Sequence, residues 1–308
     1  MGQSLAGAPA QSLREHGYAV IDGFWGEQWS EGYRREMRHL LDHNLMLPNK
    51  TQFLDARGQP IQCTKPNIFE LDLHNEEVRR LLPVFGELFG SSALVEGLND
   101  AVDGLALVPG TDATTVKLQY NAGGGGCFPL HYDNPGPPNK RRVTMLTYLN
   151  PGWEEGDGGE LQLVPWMSQP VTVAPKMDRV VIFLSDVVLH RVLPASKGRL
   201  CFTVWIDGAG TNAPEDNAID MRKFPDLDTL AVHLALSPAQ RLLARGVYRE
   251  AFARSLRDCM GDAPGSAEML ESHDKYILAM RANRGLSALV ERLRAYHDVL
   301  QTMNGFTV

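Results

Sequence analysis

The hydrophobic rhythm of this 308-residue chain changes several times along its length. The stretch HGYAVIDGFWG (16–26) alternates apolar and polar positions and closes on glycine, the pattern of a half-buried strand. EQWSEGYRREMRHLLDHNLML follows with apolar residues at helical spacing and stops before Pro48. The next stretch, PNKTQFLDARGQPIQCTKPN, is rich in turn formers and keeps no period. It predicts a long mobile loop or an irregular hairpin. Helical spacing returns in NEEVRRLLPVFGELFGSSALVEGLNDAV, with a break expected near Pro83 or Gly90.

Over residues 106–207 the rhythm shortens. TTVKLQYN, RRVTMLTYLN, GELQLVP, QPVTVAP, DRVVIFLS and RLCFTVWID are each of strand length and are divided by Gly, Pro and Asn, which predicts an antiparallel sandwich or barrel. After residue 210 the chain turns helical. SPAQRLL predicts a helix start, with Ser237 as N-cap, Pro238 in the first turn and Gln240 closing a capping box. LARGVYREAFARSL and LSALVERLRAYHDVL each carry one apolar face. The expected plan is α+β: an N-terminal strand-and-helix support (1–105), a jelly-roll-like core (106–210) and a helical C-terminal extension (211–308).

Composition narrows the classes. With 44% hydrophobic and 22% charged residues the chain reads as a soluble globular protein. No apolar run approaches the roughly 20 residues of a membrane span. MGQSLAGAPAQSLREHG lacks the parts of a signal peptide, and Ala6 breaks the myristoylation pattern. Four scattered cysteines with no C-x-x-C pair argue against a disulfide framework or a zinc ribbon and fit a reducing compartment, cytoplasmic or nuclear. A net charge of −7 argues against general affinity for nucleic acid.

Two stretches carry the candidate chemistry, FPLHYDNPG (128–136) and VVLHRVLPASKGRL (187–200). On a strand, His131 and Asp133 point to the same face. A second histidine, His190, would complete a 2-His-1-carboxylate set, which leaves open positions on an iron(II) ion. Arg199, after a turn near 195–198, would face the same ion and grip a carboxylate with two parallel hydrogen bonds. Singly, each residue has an ordinary reading: His190 as a strand-end histidine bonded to backbone, Arg199 as a surface residue. Together, on strands of the right length, they point to iron and 2-oxoglutarate. HLLDH (39–43) lacks the glutamate of a zinc protease helix, and GGGG (123–126) is no dinucleotide motif. The stripe of Arg241, Arg245 and Arg249 reads as a solvated helix face or as a contact for an acidic partner.

The run HYDNP…RRVTMLTYLNPGW…GGELQLVP…PKMDRVVIFLSDVVLHRVLPA…RLCFTVWID resembles the prolyl 4-hydroxylase class of Fe(II)/2-oxoglutarate dioxygenases, most of all the hypoxia-inducible-factor type. The resemblance spans about residues 13–207 and implies a double-stranded β-helix. It implies that His131, Asp133 and His190 hold Fe(II), and that Arg199 and Tyr148 bind the far carboxylate of 2-oxoglutarate. Tyr120, Leu161, Thr203 and Trp205 would line the cosubstrate pocket or its mouth. Arg141, Phe128 (where the family often has tyrosine) and Trp205 would face the substrate. O₂ would be the second cosubstrate and ascorbate a reductant. The expected activity is C4 hydroxylation of a proline in a protein or peptide, with release of succinate and CO₂. The segment 49–65 would close over that chain. Other readings are an oxygenase acting on another side chain, a small molecule or a nucleobase, and a metal-binding interaction module docking through its helical tail. No membrane partner is expected. Two features depart from the family: YNAGGGGC in place of a shorter turn, and the long helical tail.

Overall fold

A computed structural model describes residues 5–54, 58–210 and 218–308. The chain begins with α1 (Ala8–His16), β1 (Tyr18–Asp22), α2 (Glu27–Asp42), β2 (Leu47–Leu54) and β3 (Pro60–Asp72). Three short helices follow, α3 (Glu76–Leu81), α4 (Pro83–Gly90) and α5 (Ala93–Ala101). The middle holds β4 (Thr114–Asn121), β5 (Gly126–His131), β6 (Arg141–Tyr148) and β7 (Leu161–Val164). It continues with β8 (Val171–Val173), β9 (Arg179–Leu184), β10 (Leu189–Ala195) and β11 (Arg199–Asp207). A last group is helical: α6 (Leu227–Ala235), α7 (Arg241–Val247), α8 (Arg249–Met260), α9 (Ser266–Ala282) and α10 (Arg284–Asn304).

The strands form two antiparallel sheets, a long one ordered β1-β9-β6-β11-β4-β3-β2 and a short one ordered β5-β10-β7-β8. This is the double-stranded β-helix. The alternation in β1 places Ala19 and Ile21 inward, and the strand pairs with β9 at one edge of the long sheet. In α2, Tyr33, Met37 and Leu40 are fully buried, with Tyr33 against Phe85 and Phe202. The break expected near Pro83 separates α3 from α4. The carboxylate of Glu36 accepts hydrogen bonds from the Val84 and Phe85 N–H groups, satisfying donors that the first turn of a helix leaves free.

The unpatterned stretch 48–67 belongs to a hairpin, the second of its two expected forms. Thr51 pairs with Cys63, and β3 continues past the hairpin to pair with β4. Residues 55–57 of that stretch lie outside the described residues. Its neighbour, the glycine run 123–126, is pinned rather than free. Gly123, Gly124 and Gly125 take positive φ, Asn121 donates to Gly126 O and accepts from Gly123 N, and Asn67 donates to Gly124 O. A Cβ on Gly126 would sit 2.3 Å from Asn121 Oδ1.

The C-terminal helices close the outer face of the short sheet. Leu130, Val164, Trp166 and Leu189 share a second core with Leu243, Phe252 and Leu293. Helix α8 makes three links to this sheet. Ser255 Oγ accepts from Leu130 N at 3.0 Å, Asp258 pairs with Arg191 at 3.1 Å, and Cys259 is bonded to Cys127. That disulfide corrects the reading of the cysteines as unpaired: 132 residues of separation hide a contact that only the fold creates. The capping box at 237–240 also fails. Ser237 caps Ala239 N, whereas buried Gln240 donates to Leu234 O and accepts from Tyr132 Oη. Nor is the arginine stripe merely solvated: Arg241 bonds Pro238 O and Asn134 O, Arg245 bonds His273, and Arg249 pairs with Glu291. Among the described residues no helix is long and apolar enough to cross a membrane.

Candidate active site

His131 ends β5 and His190 sits near the start of β10, directly opposite each other across one register pair. Their ring centroids are 4.3 Å apart. Asp133, two residues past His131, brings Oδ1 to 3.4 Å from His131 Nε2 and 3.8 Å from His190 Nε2. One donor atom from each residue falls within 4.8 Å of the others, a group able to hold a metal ion. The tautomers are set from outside: His131 Nδ1 lies 2.7 Å from Pro129 O and His190 Nδ1 lies 3.1 Å from Val188 O. A carbonyl can only accept, so each Nδ1 carries the hydrogen and each Nε2 presents a lone pair to the centre.

The carboxylate is divided in the same way. Thr144 Oγ1 donates to Asp133 Oδ2 at 2.7 Å and Trp205 Nε1 donates to it at 3.0 Å, leaving Oδ1 toward the imidazoles. Burial alone would raise the Asp133 carboxyl. The charge that His190 carries when protonated, with the charge and hydrogen bond of a protonated His131 and the hydrogen bond from Trp205, outweighs it and holds the group far below the usual carboxylate range. Burial, helped by His131, pushes His190 down to about 4, so the ring is neutral at pH 7. A neutral His190 and an ionised Asp133, joined by the His131 ring, make two imidazoles and one carboxylate, the donor set that suits a divalent iron.

Deeper in the same cavity lies Arg199, the first residue of β11 and 3% exposed. The chain passes from β10 to β11 through a three-residue turn, yet the two strands belong to opposite sheets. His190 and Arg199 therefore meet across the sandwich and not as neighbours in one sheet. The Nε and Nη2 atoms of Arg199 and the hydroxyl of Tyr148 are buried with no hydrogen-bond partner among the described residues. The guanidinium sits 4.9 Å from the Tyr148 ring centroid. Buried unpartnered donors around a fixed cation fit the carboxylate of an incoming ligand. Gly159 makes room for this: a Cβ there would come within 2.9 Å of Arg199 Cδ.

The cavity, about 230 Å³, is lined by His131, Asp133, His190, Arg199, Leu161, Thr203, Phe128 and Trp205, as expected from the sequence. Arg141 stacks on Trp205 at 4.1 Å, beside the mouth. Tyr120 is not among the lining residues. Lys117 and Gln119 pair with Thr203 and Cys201 across β4 and β11, while Tyr120 pairs with Leu200 and stacks on Phe69. A step of one residue along a strand reverses the face, and a reading of motifs does not fix that step. Gln119 takes the lining position. Thr144, Lys65, Lys117, Glu70 and Asn49 also line the cavity and were not anticipated. Only the strand register of β6 relative to Asp133 would have pointed to Thr144.

Comparison with known proteins agrees with this geometry. Residues 117–207 match the profile of the 2OG-Fe(II) oxygenase superfamily. A solved prolyl 4-hydroxylase from Phytophthora capsici is 43% identical, with a TM-score of 0.82 over 94% of this chain and 91% of that one. A prolyl hydroxylase from Trichoplax adhaerens, solved with a hypoxia-inducible-factor peptide, shares the fold at 22% identity and a TM-score of 0.53, over 64% of this chain and 86% of that one. The hypoxia-inducible factor prolyl hydroxylase of Caenorhabditis elegans is 26% identical over 211 residues, 63% of this chain but only 27% of the worm protein.

Proposed function

This chain belongs to the prolyl 4-hydroxylase family of the 2OG-Fe(II) oxygenase superfamily, and on that premise we propose that it hydroxylates C4 of a prolyl residue in a protein substrate. One 2-oxoglutarate and one O₂ are consumed for each C–H converted to C–OH, and succinate and CO₂ are released. The observation that carries the reading is the pairing, in one cavity, of the His131–Asp133–His190 group with a buried arginine that has no anionic partner among the described residues.

In this reading His131 Nε2, Asp133 Oδ1 and His190 Nε2 hold Fe(II). Arg199 and Tyr148 hold the far carboxylate of 2-oxoglutarate. Iron and cosubstrate, when bound, supply the oxidising power for C–H cleavage. The protein supplies placement. Pro129 O and Val188 O fix the imidazole tautomers, and Thr144 and Trp205 keep one aspartate oxygen occupied so that the other stays directed at the ion. Leu161, Phe183 and Val192 give the site apolar walls that limit water. Arg141 and Trp205, stacked at the mouth, and the β2–β3 hairpin offer a surface for the peptide. The activities named for the relatives support a proline target over a small molecule or nucleobase. We read the compartment as cytoplasmic or nuclear from the scattered cysteines, which form no C-x-x-C pair.

The test is incubation with proline-containing peptides, Fe(II) and 2-oxoglutarate, with succinate quantified and peptides sequenced by mass spectrometry. One added oxygen on proline, in step with succinate, is the expected result. Turnover of a small molecule with every proline peptide untouched would overturn the reading.

A further inference from the structure

Besides Arg199 the cavity is lined by three lysines, Lys50, Lys65 and Lys117, that the reaction does not use. Lys65, on β3, is half-buried and lines the cavity with its ammonium 4.2 Å from the centroid of the Phe128 ring. It forms no ion pair with a described carboxylate. Glu70 instead pairs with Lys117 at 3.3 Å and accepts from the Asn49 amide. Lys50 also lines the cavity but is exposed to solvent, where a counter-charge matters less than for half-buried Lys65.

Charge balance isolates Lys65. In the reading above, the two charges of iron are met by Asp133 and the oxo-acid carboxylate of 2-oxoglutarate. Arg199 is met by the distal carboxylate, and Lys117 by Glu70. Lys65 is left without a counter-charge in a half-closed cavity. A cation–π contact returns only part of the hydration such an ammonium gives up. Burial pushes the Lys65 ammonium down to about 8 despite the pull of nearby Glu70, which leaves it mostly charged at pH 7. Phe128 offers a ring face but no acceptor oxygen. The contact of Cys63 Sγ with Pro264 O, two residues before Lys65, ties this part of β3 to the C-terminal helices.

We propose that Lys65 receives a carboxylate of the polypeptide substrate, an aspartate or glutamate side chain close in sequence to the target proline. The proposal rests on the prolyl reading and adds a substrate class to it: acidic proline segments. Lys65 acts as a specificity residue and takes no part in oxygen chemistry.

The experiment is equilibrium binding by fluorescence polarisation under anaerobic conditions, with the full chain, Fe(II) and 2-oxoglutarate, so that no turnover intervenes. The probes are labelled proline peptides differing at one flanking position, Glu, Gln or Lys. Wild-type protein is expected to bind the Glu peptide about tenfold tighter than the Gln peptide, in the range of partly desolvated charge pairs. Lys65→Met should erase that difference, and Lys65→Glu should turn it toward the Lys peptide. Melting curves of both variants confirm that they fold. Equal binding of the three peptides by wild type, an unchanged preference in Lys65→Glu, or no peptide binding at all overturns the proposal. Aerobic turnover separates the two failures. Proline hydroxylation without charge preference removes only the role of Lys65, whereas a small-molecule substrate removes the prolyl reading as well.

Discussion

Replacing Arg199 with lysine tests the cosubstrate pole of the site at a single side chain. Lysine keeps one positive charge but gives up the planar fork. Nε and Nη2 are both buried with no hydrogen-bond partner among the described residues, so both can meet a ligand, and Nη1 already contacts Cys201 Sγ. Losing one of two charge-assisted hydrogen bonds costs about 2 kcal/mol. At roughly 1.4 kcal/mol per decade, this predicts a rise of about 30-fold in the 2-oxoglutarate KM. The assay is succinate formation against 2-oxoglutarate concentration at saturating iron, with iron affinity measured separately. Iron affinity should barely move, since Arg199 has no hydrogen bond to any of the three atoms proposed to hold iron. An unchanged KM would refute the reasoning. Lys197 could not then be the substitute, because it lies at the surface in an ion pair with Asp157 at 2.6 Å.

Thr144→Val is nearly isosteric at a fully buried position and removes one of the two hydrogen bonds on Asp133 Oδ2. Iron affinity should fall roughly tenfold or more, and a titration showing no change would remove Thr144 from the site. The metal-free protein should lose stability as pH falls from about 6.5 toward 4. His190 has a folded pKa of about 4, so over that window the unfolded chain binds the additional proton. Thermal melts of wild type and His190→Asn across that range check this, the variant showing the shallower slope. Truncation after residue 217 should give insoluble protein, because Leu130, Trp166 and Leu189 would lose their cover, and a soluble product with an unchanged Tm would contradict it.

The sequence made the site legible where residues act through short-range spacing. His131 and Asp133 stand two apart on a strand, and His190 and Arg199 flank one turn, so alternation and turn chemistry suffice to bring them forward. What stayed hidden depends on long-range register. Whether Gln119 or Tyr120 faces the cavity is decided by how β4 lies against β11, and a shift of one residue reverses the answer. Thr144 is ordinary in RRVTMLTY until β6 lies beside Asp133. Lys65 sits in a stretch without period, whose partners are only found once β3 joins the long sheet. The α8 links escaped for the same reason: Ser255, Asp258 and Cys259 look like one face of any amphipathic helix.

The bond between Cys127 and Cys259 turns the enclosed chain into a covalent ring. His131, Asp133, Tyr148, His190, Arg199 and Trp205 all fall inside it, while Lys65 and the β2–β3 hairpin fall outside. In a chain-entropy model, closing a ring of this size removes roughly 5 kcal/mol of freedom from the unfolded state. The iron pole and the carboxylate pole are thus tethered to each other even when the molecule opens. A single cleavage within the ring leaves two pieces that stay joined, and only cleavage together with reduction separates them. The β2–β3 hairpin, proposed above as the substrate's surface, has no such tether. The covalent ring thus encloses the residues proposed to hold iron and cosubstrate and leaves the hairpin proposed to meet the substrate outside it.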